Sequence, residues 1–526
     1  MATRSFWGWG YEEAAFDDQQ IGQLRQLVGM QFGKAELTCQ APPLLSDLTI
    51  PEPRLTPPDS LASIISTERR DRANHTYGKS FRDIVRGLNG DYRCAPDMIA
   101  RPSTEQELID VLDYASRQGA AVIPYGGGSS VVGGTEPRYE GNWSGTVTVD
   151  MERFNRLLEV DHQSRAAHIE GGIYGPALED GLRAHGLTLR HFPQSFEFST
   201  LGGWIATRSG GHFASLYTHI DDLLESMRVL TPRGAVESRR LPGSGAGPSP
   251  DRMFLGSEGA LGFVTSAWVR LQHRPVHRLT RAVHFDDFLE GAEAVRRISQ
   301  SGLFPTNCRL IDAREAMMNG VGTGSKHLLI LGFESADHPL EPWMNRALDI
   351  AMEAGGEVQT SKEKNPNEHG QAGDWRNQFI RAPYMRDALI RLGLVAETFE
   401  TAITWDKFED FHAGVMDRVR KVTREVCGGA FVTCRFTHIY PDGPAPYYTV
   451  IAPGRRGDQV KQWDEIKQAC METLIDLGGT ITHHHAVGRD HRPGYDRQRP
   501  ELFAEVLRAT KKTLDPEGMM NPSVLI

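Results

Sequence analysis

The chain has 526 residues, of which 39% are hydrophobic and 24% charged, with a formal net charge of −10 at pH 7. That length exceeds a single core and predicts two or more domains. An acidic balance without a basic tract argues against a nucleic-acid binder and against electrostatic attachment to anionic lipid. Six cysteines (Cys39, Cys94, Cys308, Cys427, Cys434, Cys470) form no CxxC pair, so free buried thiols are expected rather than a zinc site or a disulfide framework. No run of 18 apolar residues offers a membrane span, and no apolar signal segment or targeting presequence precedes Phe6, so a cytoplasmic location is expected.

Residues 1–90 carry the Pro-rich stretch Ala41–Pro58 between weak helices and read as an N-terminal extension without a core of its own. From residue 91 the pattern sharpens. Ser103 and Thr104 precede Glu105 and Glu107, with Leu108, Val111, Leu112 and Ala115 at helical spacing, which predicts a capped amphipathic helix. It delivers the chain into a short strand, Ala121–Pro124, and then a glycine-rich loop. Residues 123–134 hold five glycines and two serines, among them Gly126, Gly127, Gly128, Ser129 and Ser130. Glycine lets the backbone approach a phosphate closely, and successive N–H groups make an anion-binding concavity, so a dinucleotide is the expected ligand. The loop lacks the G-x-G-x-x-G spacing of a Rossmann turn.

Short strands follow at 146–150, 157–161 and 166–170. Two further Gly-punctuated runs come next: Pro193-Gln194-Ser195-Phe196-Glu197-Phe198-Ser199-Thr200-Leu201-Gly202-Gly203-Trp204, then Gly256-Ser257-Glu258-Gly259-Ala260-Leu261-Gly262-Phe263-Val264-Thr265. Beyond Pro275 the pattern changes to longer helices (288–301, 341–354, 406–426, 460–477) alternating with strands such as 328–331 and 447–451. The predicted divisions are 1–90, 91–273, 274–490 and a closing segment 491–526.

Several residues stand out for their chemistry. His483, His484 and His485 lie between Gly479 and Gly488; on a strand at most two would face one pocket, and the alternative is a partly exposed polar strand end. Imidazole suggests a metal, but no Asp or Glu stands at ligand spacing, so no metal is expected. Arg309 between apolar residues needs a partner: either a salt bridge to Asp312 or Glu315, or a pocket and a substrate phosphate. Arg386, near Arg381 and Arg391, would by itself be a solvated helix face.

The order PYGGGSS, PQSFEFSTLGGW, GSEGALGFVT resembles the FAD-binding domain of the vanillyl-alcohol-oxidase type flavoproteins. Phe6-Trp7-Gly8-Trp9-Gly10-Tyr11, Cys308–Asp312, Tyr384–Asp387, Glu397–Thr401, Thr433–Thr437 and Thr482–His485 extend the likeness, over nearly the whole chain, to the alkyldihydroxyacetonephosphate synthases. The implied fold is α+β: a two-part FAD-binding domain with an α/β cap that forms the substrate pocket, and a tail that returns to the flavin domain. The implied cofactor is FAD, held non-covalently because the loop has no histidine for attachment. Its binding residues would be Pro124, Gly126, Gly127, Gly128, Ser129, Ser130, Pro193, Ser195, Ser199, Thr200, Gly202, Gly203, Thr207, Glu258, Gly259 and Val264.

The implied activity exchanges the acyl group of acyl-dihydroxyacetone phosphate, a lipid-like substrate, for a fatty alcohol through a flavin N5 adduct. Tyr448, six residues after Asp442, falls on the family's catalytic tyrosine, with Tyr447 as its packing partner. His483, His484 and His485 would handle the departing carboxylate or the alcohol, Arg386 would lie near N5, and Arg309 would support the substrate. The apolar insertion of the animal enzymes shrinks here to Ala313–His327, so at most weak peripheral membrane contact is expected, and a homodimer stays open. Gln194 replaces the family's Asp. An FAD-dependent oxidase or dehydrogenase of a small alcohol or 2-hydroxy acid is the alternative, since the flavin domain hosts many chemistries.

Overall fold

The computed structural model describes residues 3–33, 37–217, 219–358 and 371–526. On the side of the glycine loops, strands β1 (Ile65–Ser66), β2 (Met98–Ala100), β3 (Ala121–Tyr125) and β4 (Thr146–Asp150) form one sheet in the order β1-β2-β4-β3. β2 and β3 both run parallel to β4, and β1 closes the far edge antiparallel to β2. The helix Glu105–Gln118 links β2 to β3. Thr104 caps it by accepting from Glu107 N, Gly119 ends it at φ 65°, and Leu108, Val111, Leu112 and Ala115 bury its inner face. Every residue of β4 is buried, as expected of a strand covered on both faces.

A second sheet is antiparallel and takes β5 (Leu157–Asp161), β6 (Ala166–Glu170), β7 (Leu224–Thr231), β8 (Gly234–Glu237) and β9 (Phe263–Arg270) in the order β5-β6-β9-β7-β8. The cap is a seven-stranded sheet: β10 (His277–Phe285), β11 (Asn307–Ile311), β12 (His327–Ser335), β13 (Glu357–Val358), β14 (Leu394–Glu400), β15 (Phe431–Ile439) and β16 (Pro444–Pro453), in the order β13-β10-β12-β11-β15-β16-β14. All its pairings are antiparallel. Helices Phe288–Ser299, Glu341–Glu353, Phe408–Cys427 and Gln459–Asp476 cover one face and supply the core with Val295, Ile298, Phe411, Val415, Trp463 and Ile466. Their periodicity locates each within two residues of its observed ends, and a 3-10 turn, Trp405–Lys407, precedes the third. The cap's other face turns toward the glycine loops and forms the site.

The N-terminal region serves both parts. Phe6, Trp7, Tyr77, Phe81, Ile84 and Tyr92 belong to the same core as the cap helices, while β1 pairs with β2 in the sheet beside the glycine loops. Packing therefore runs across residue 90. The tail docks on β3: Val122 N donates to Met519 O at 2.9 Å and Asn521 N to Val122 O at 2.8 Å. The segment 482–485 is a loop and not the strand that alternation assumed, so the two-facing limit on its histidines does not apply.

Candidate functional site

A cavity of about 300 Å³ lies between the glycine loops and the open face of the cap sheet. A second of about 110 Å³ continues from it, the two sharing Gly126, Ser130, Thr135, Thr200, Gly203 and Thr207. Gly127, Gly128, Ser129, Pro193, Ser195 and Ser199 line the first, and Pro124, Gly202, Glu258 and Val264 the second. Gly259 lines neither; it packs behind Pro124 at φ +74°. The loop from Gly126 lies against the chain at Phe198–Thr200, where a Cβ on Gly127 would run into the Phe198 carbonyl. Thr200 caps the helix Leu201–Thr207, accepting from Gly203 N at 3.3 Å, so a helix N-terminus points into the same slot. Among the described residues, the N–H groups of Gly127, Gly128 and Ser129 donate to no protein acceptor, and all three residues line the cavity. Unspent donors beside a helix N-terminus suit a pyrophosphate, and two adjoining cavities suit a dinucleotide, so FAD fits the residues present.

Glu258 sits at the far side of this slot in a left-handed conformation, φ 49°. Its buried carboxylate accepts from Val487 N at 2.9 Å and Gly488 N at 2.9 Å. Burial pushes its pKa up to about 7 against those two hydrogen bonds. Asn521 donates to Glu258 O at 2.7 Å and to Gly134 O at 3.1 Å, so the tail ties two glycine runs together.

At the other end of the large cavity the histidine loop wraps one carboxylate. Glu400, the last residue of β14 and fully buried, accepts from the backbone N–H of His483 (2.6 Å), His484 (3.1 Å) and His485 (2.9 Å) and from the Thr482 hydroxyl (2.6 Å). Burial opposes its ionisation, but the surrounding histidines and the Thr482 hydroxyl hold the carboxyl well below the usual carboxylate range. Burial in turn pushes His484 well below the ordinary imidazole value, with Glu400 opposing, so that imidazole is neutral at pH 7. His484 and His485 line the cavity. His483 turns away, its Nε2 2.7 Å from the Tyr440 hydroxyl.

The tyrosine register differs from the alignment. On β16, Tyr447 faces the cavity and Tyr448 the helices behind the sheet. Tyr448 is fully buried, stacks on Phe399 at 4.9 Å, and has its hydroxyl 3.2 Å from His412 Nδ1. Neighbours on a strand point to opposite faces, so both cannot serve one site, and the geometry removes Tyr448 from it. Tyr447 lies between the Arg435 guanidinium, 3.9 Å from the ring centre, and the rings of His484 and His485. Burial raises its pKa and Arg435 opposes the rise.

Arg386 lines the cavity and is no solvated face. Its Nη1 donates to Lys79 O at 2.7 Å and its Nη2 to Asp387 at 3.1 Å. Arg309, only 2% exposed, also lines the cavity. Neither expected salt bridge forms: Asp312 caps the helix Ala313–Met318, and Glu315 pairs with Arg435 and Thr433. Burial lowers the Arg309 pKa to about 9, with Arg435 adding repulsion. Three guanidinium groups thus reach the cavity, those of Arg386 and Arg435 ion-paired with Asp387 and Glu315. Its apolar lining includes Met318, Met385, Leu389, Ala396 and Ile451.

Sequence reasoning missed Glu400, Arg435, His438 and Lys79 as members of this region. Glu400 and Arg435 lie in segments that the family likeness marked, and Arg435 shares with Arg309 the signal of a cation in an apolar strand. Lys79 and His438 carried no such signal.

The chain matches the family model for the FAD binding domain over residues 96–238 and that for the C-terminal domain of FAD linked oxidases over residues 274–525. It is 30% identical to the alkyldihydroxyacetonephosphate synthase of Dictyostelium discoideum over 494 residues, 88% of this chain and 78% of that one. To the enzyme of the same name from Trypanosoma brucei brucei it is 28% identical over 511 residues, 90% and 82% of the two chains. A solved alkyldihydroxyacetonephosphate synthase structure superposes with a TM-score of 0.81 at 25% identity and covers 98% of both chains.

Proposed function

Because this chain belongs to the alkyldihydroxyacetonephosphate synthase family of FAD-linked enzymes, we propose that it exchanges the acyl group of acyl-dihydroxyacetone phosphate for a fatty alcohol. The observation that carries this reading is a cavity lined both by arginine and histidine side chains and by apolar ones, the mixture that a phosphate headgroup with a long chain requires. FAD, when bound, supplies a ring system that can take and return an electron pair at the headgroup carbon.

In this reading Arg309 and Arg435 hold the phosphate by charge, since guanidinium groups match phosphate oxygens. Arg386, tethered by Lys79 and Asp387, keeps positive charge beside the flavin slot. Tyr447 moves the proton on the carbon next to the ketone, its phenol placed by the Arg435 contact. A neutral His484 or His485 accepts the proton of the incoming alcohol, and the leaving carboxylate departs toward the arginines. The carbon–oxygen bond to the acyl group breaks and one to the alcohol forms, so the sum is redox-neutral. FAD is bound without a covalent link, contact with membranes is weak and peripheral, and the protein works in the cytoplasm.

The test is to incubate the yellow holoenzyme with acyl-dihydroxyacetone phosphate and labelled hexadecanol. Labelled ether-linked dihydroxyacetone phosphate together with free fatty acid is the expected product pair. If no label transfers and a small alcohol or 2-hydroxy acid bleaches the flavin instead, the enzyme is an oxidoreductase. Acid precipitation should leave the flavin in the supernatant; a yellow pellet would contradict non-covalent binding.

A further inference from the structure

Three imidazoles converge at the cavity wall, one from β15 and two from the histidine loop. A ring nitrogen of His438 on β15 and one each of His483 and His484 in the histidine loop lie within 4.8 Å of one another. The Nδ1 atoms of His483 and His484 are 3.1 Å apart. A tetrahedral zinc ion binds nitrogen at about 2.0–2.1 Å, which sets neighbouring ligands roughly 3.4 Å apart, so this pair already stands near ligand spacing.

Hydrogen bonding outside the triangle decides which nitrogens carry lone pairs. His438 Nε2 lies 3.1 Å from the Gly211 carbonyl, which can only accept, so the proton sits on Nε2 and Nδ1 is basic. The Thr437 hydroxyl that approaches Nδ1 has the Ala445 carbonyl as a second acceptor and can release it. His483 Nε2 lies 2.7 Å from the Tyr440 hydroxyl, whose oxygen can accept an N–H from that nitrogen and so leave Nδ1 as the basic atom. Both histidines therefore have a partner outside the cluster for one ring nitrogen, the arrangement that orients histidine ligands in metal sites. His484 reaches the same state by moving its proton to Nε2, with no net proton released.

We propose that His438, His483 and His484 form a site for a divalent transition ion of the zinc class, with an open coordination position. An all-imidazole set selects zinc-like ions over magnesium or calcium, which prefer oxygen. Glu400, whose carboxylate lies 3.5 Å from His484 Nδ1, offsets part of the charge without being a ligand. Glu400 is supplied by β14. Binding is a property of the folded chain and does not depend on the exchange reaction. If that reaction holds, the ion occupies His484 and inhibits turnover.

The experiment uses chelator-washed, FAD-loaded protein titrated with Zn²⁺ alone by calorimetry at pH 7.5, with Mg²⁺ as control. One Zn²⁺ per chain and no Mg²⁺ response are expected. His438→Gln should weaken binding at least tenfold and Tyr440→Phe about tenfold, the range for losing an outer-shell partner. An unchanged flavin spectrum in both variants shows that the fold is kept. X-ray absorption should give a nitrogen and oxygen shell that loses a nitrogen in His438→Gln. The exposed pair His162 and His185, with ring nitrogens 3.2 Å apart, is the rival zinc site. Loss of binding in His162→Gln, wild-type affinity in His438→Gln, or no saturable binding would each overturn the proposal.

Discussion

Tyr447 and Tyr448 show how one residue of register moves a phenol across a sheet. Tyr447 meets Arg435 and two imidazoles, whereas Tyr448 meets Phe399 and His412 in a dry core. Tyr447→Phe should therefore lower exchange of the acyl group by at least about a hundredfold with FAD still bound, as for a positioned acid or base. Tyr448→Phe should keep most turnover and lose about 1 kcal/mol of stability with its hydrogen bond. The reverse ranking in steady-state assays would restore the alignment's choice. Lys79 offers a second test. Burial, with Arg4 adding repulsion, lowers its pKa to about 8. Below pH 8 the folded protein holds a buried ammonium; between about 8 and 10.5 the folded side chain has lost its proton while the unfolded one keeps it, so wild-type stability rises through that window. Lys79→Met should be the more stable protein at pH 7.5, and its lead should shrink by roughly 2 kcal/mol at pH 10, at 1.36 kcal/mol per pKa unit. A lead that does not change with pH in urea unfolding of FAD-free protein would refute this.

At the scale of elements, the histidine loop holds its shape without strand pairing because β14 ends on Glu400. Three backbone N–H groups and one hydroxyl converge on that carboxylate. Glu400→Gln replaces one acceptor oxygen by a donor facing N–H groups, which should cost about 3 kcal/mol of local stability. Hydrogen exchange at residues 483–485 should accelerate while amides of β15 and β16 stay protected. Unchanged exchange in the loop would show that the carboxylate is not its anchor. The helices and strands around this loop were legible from periodicity, since each buries one stripe or alternates across a covered sheet. The loop was not: its hydrogen bonds go to a residue 83 positions away, which no local pattern reports.

Across the whole molecule the tail completes the flavin slot. Asn521 bonds Val122, Gly134 and Glu258, and Arg489 bonds Gly133 O at 2.7 Å and Pro522 O at 2.8 Å, so three distant segments are fastened at one place. Asn521→Ala should weaken FAD binding by about tenfold, read from flavin fluorescence on dilution, with the cap unaffected. An affinity equal to wild type would show that the tail merely covers the slot.

The glycine runs, their order, the capped helix that precedes them and the family they belong to were determined by the sequence alone, because φ freedom, capping and periodicity are local properties of a few adjacent residues. The slot could be named from them before any fold was known. Three things were decided only by tertiary structure: which tyrosine faces the cavity, which carboxylate holds the histidines, and which imidazoles share a centre. Each depends on strands pairing across long stretches of chain. Pairing fixes side-chain direction through the pleat, so a spacing counted along the chain cannot tell one face of a sheet from the other.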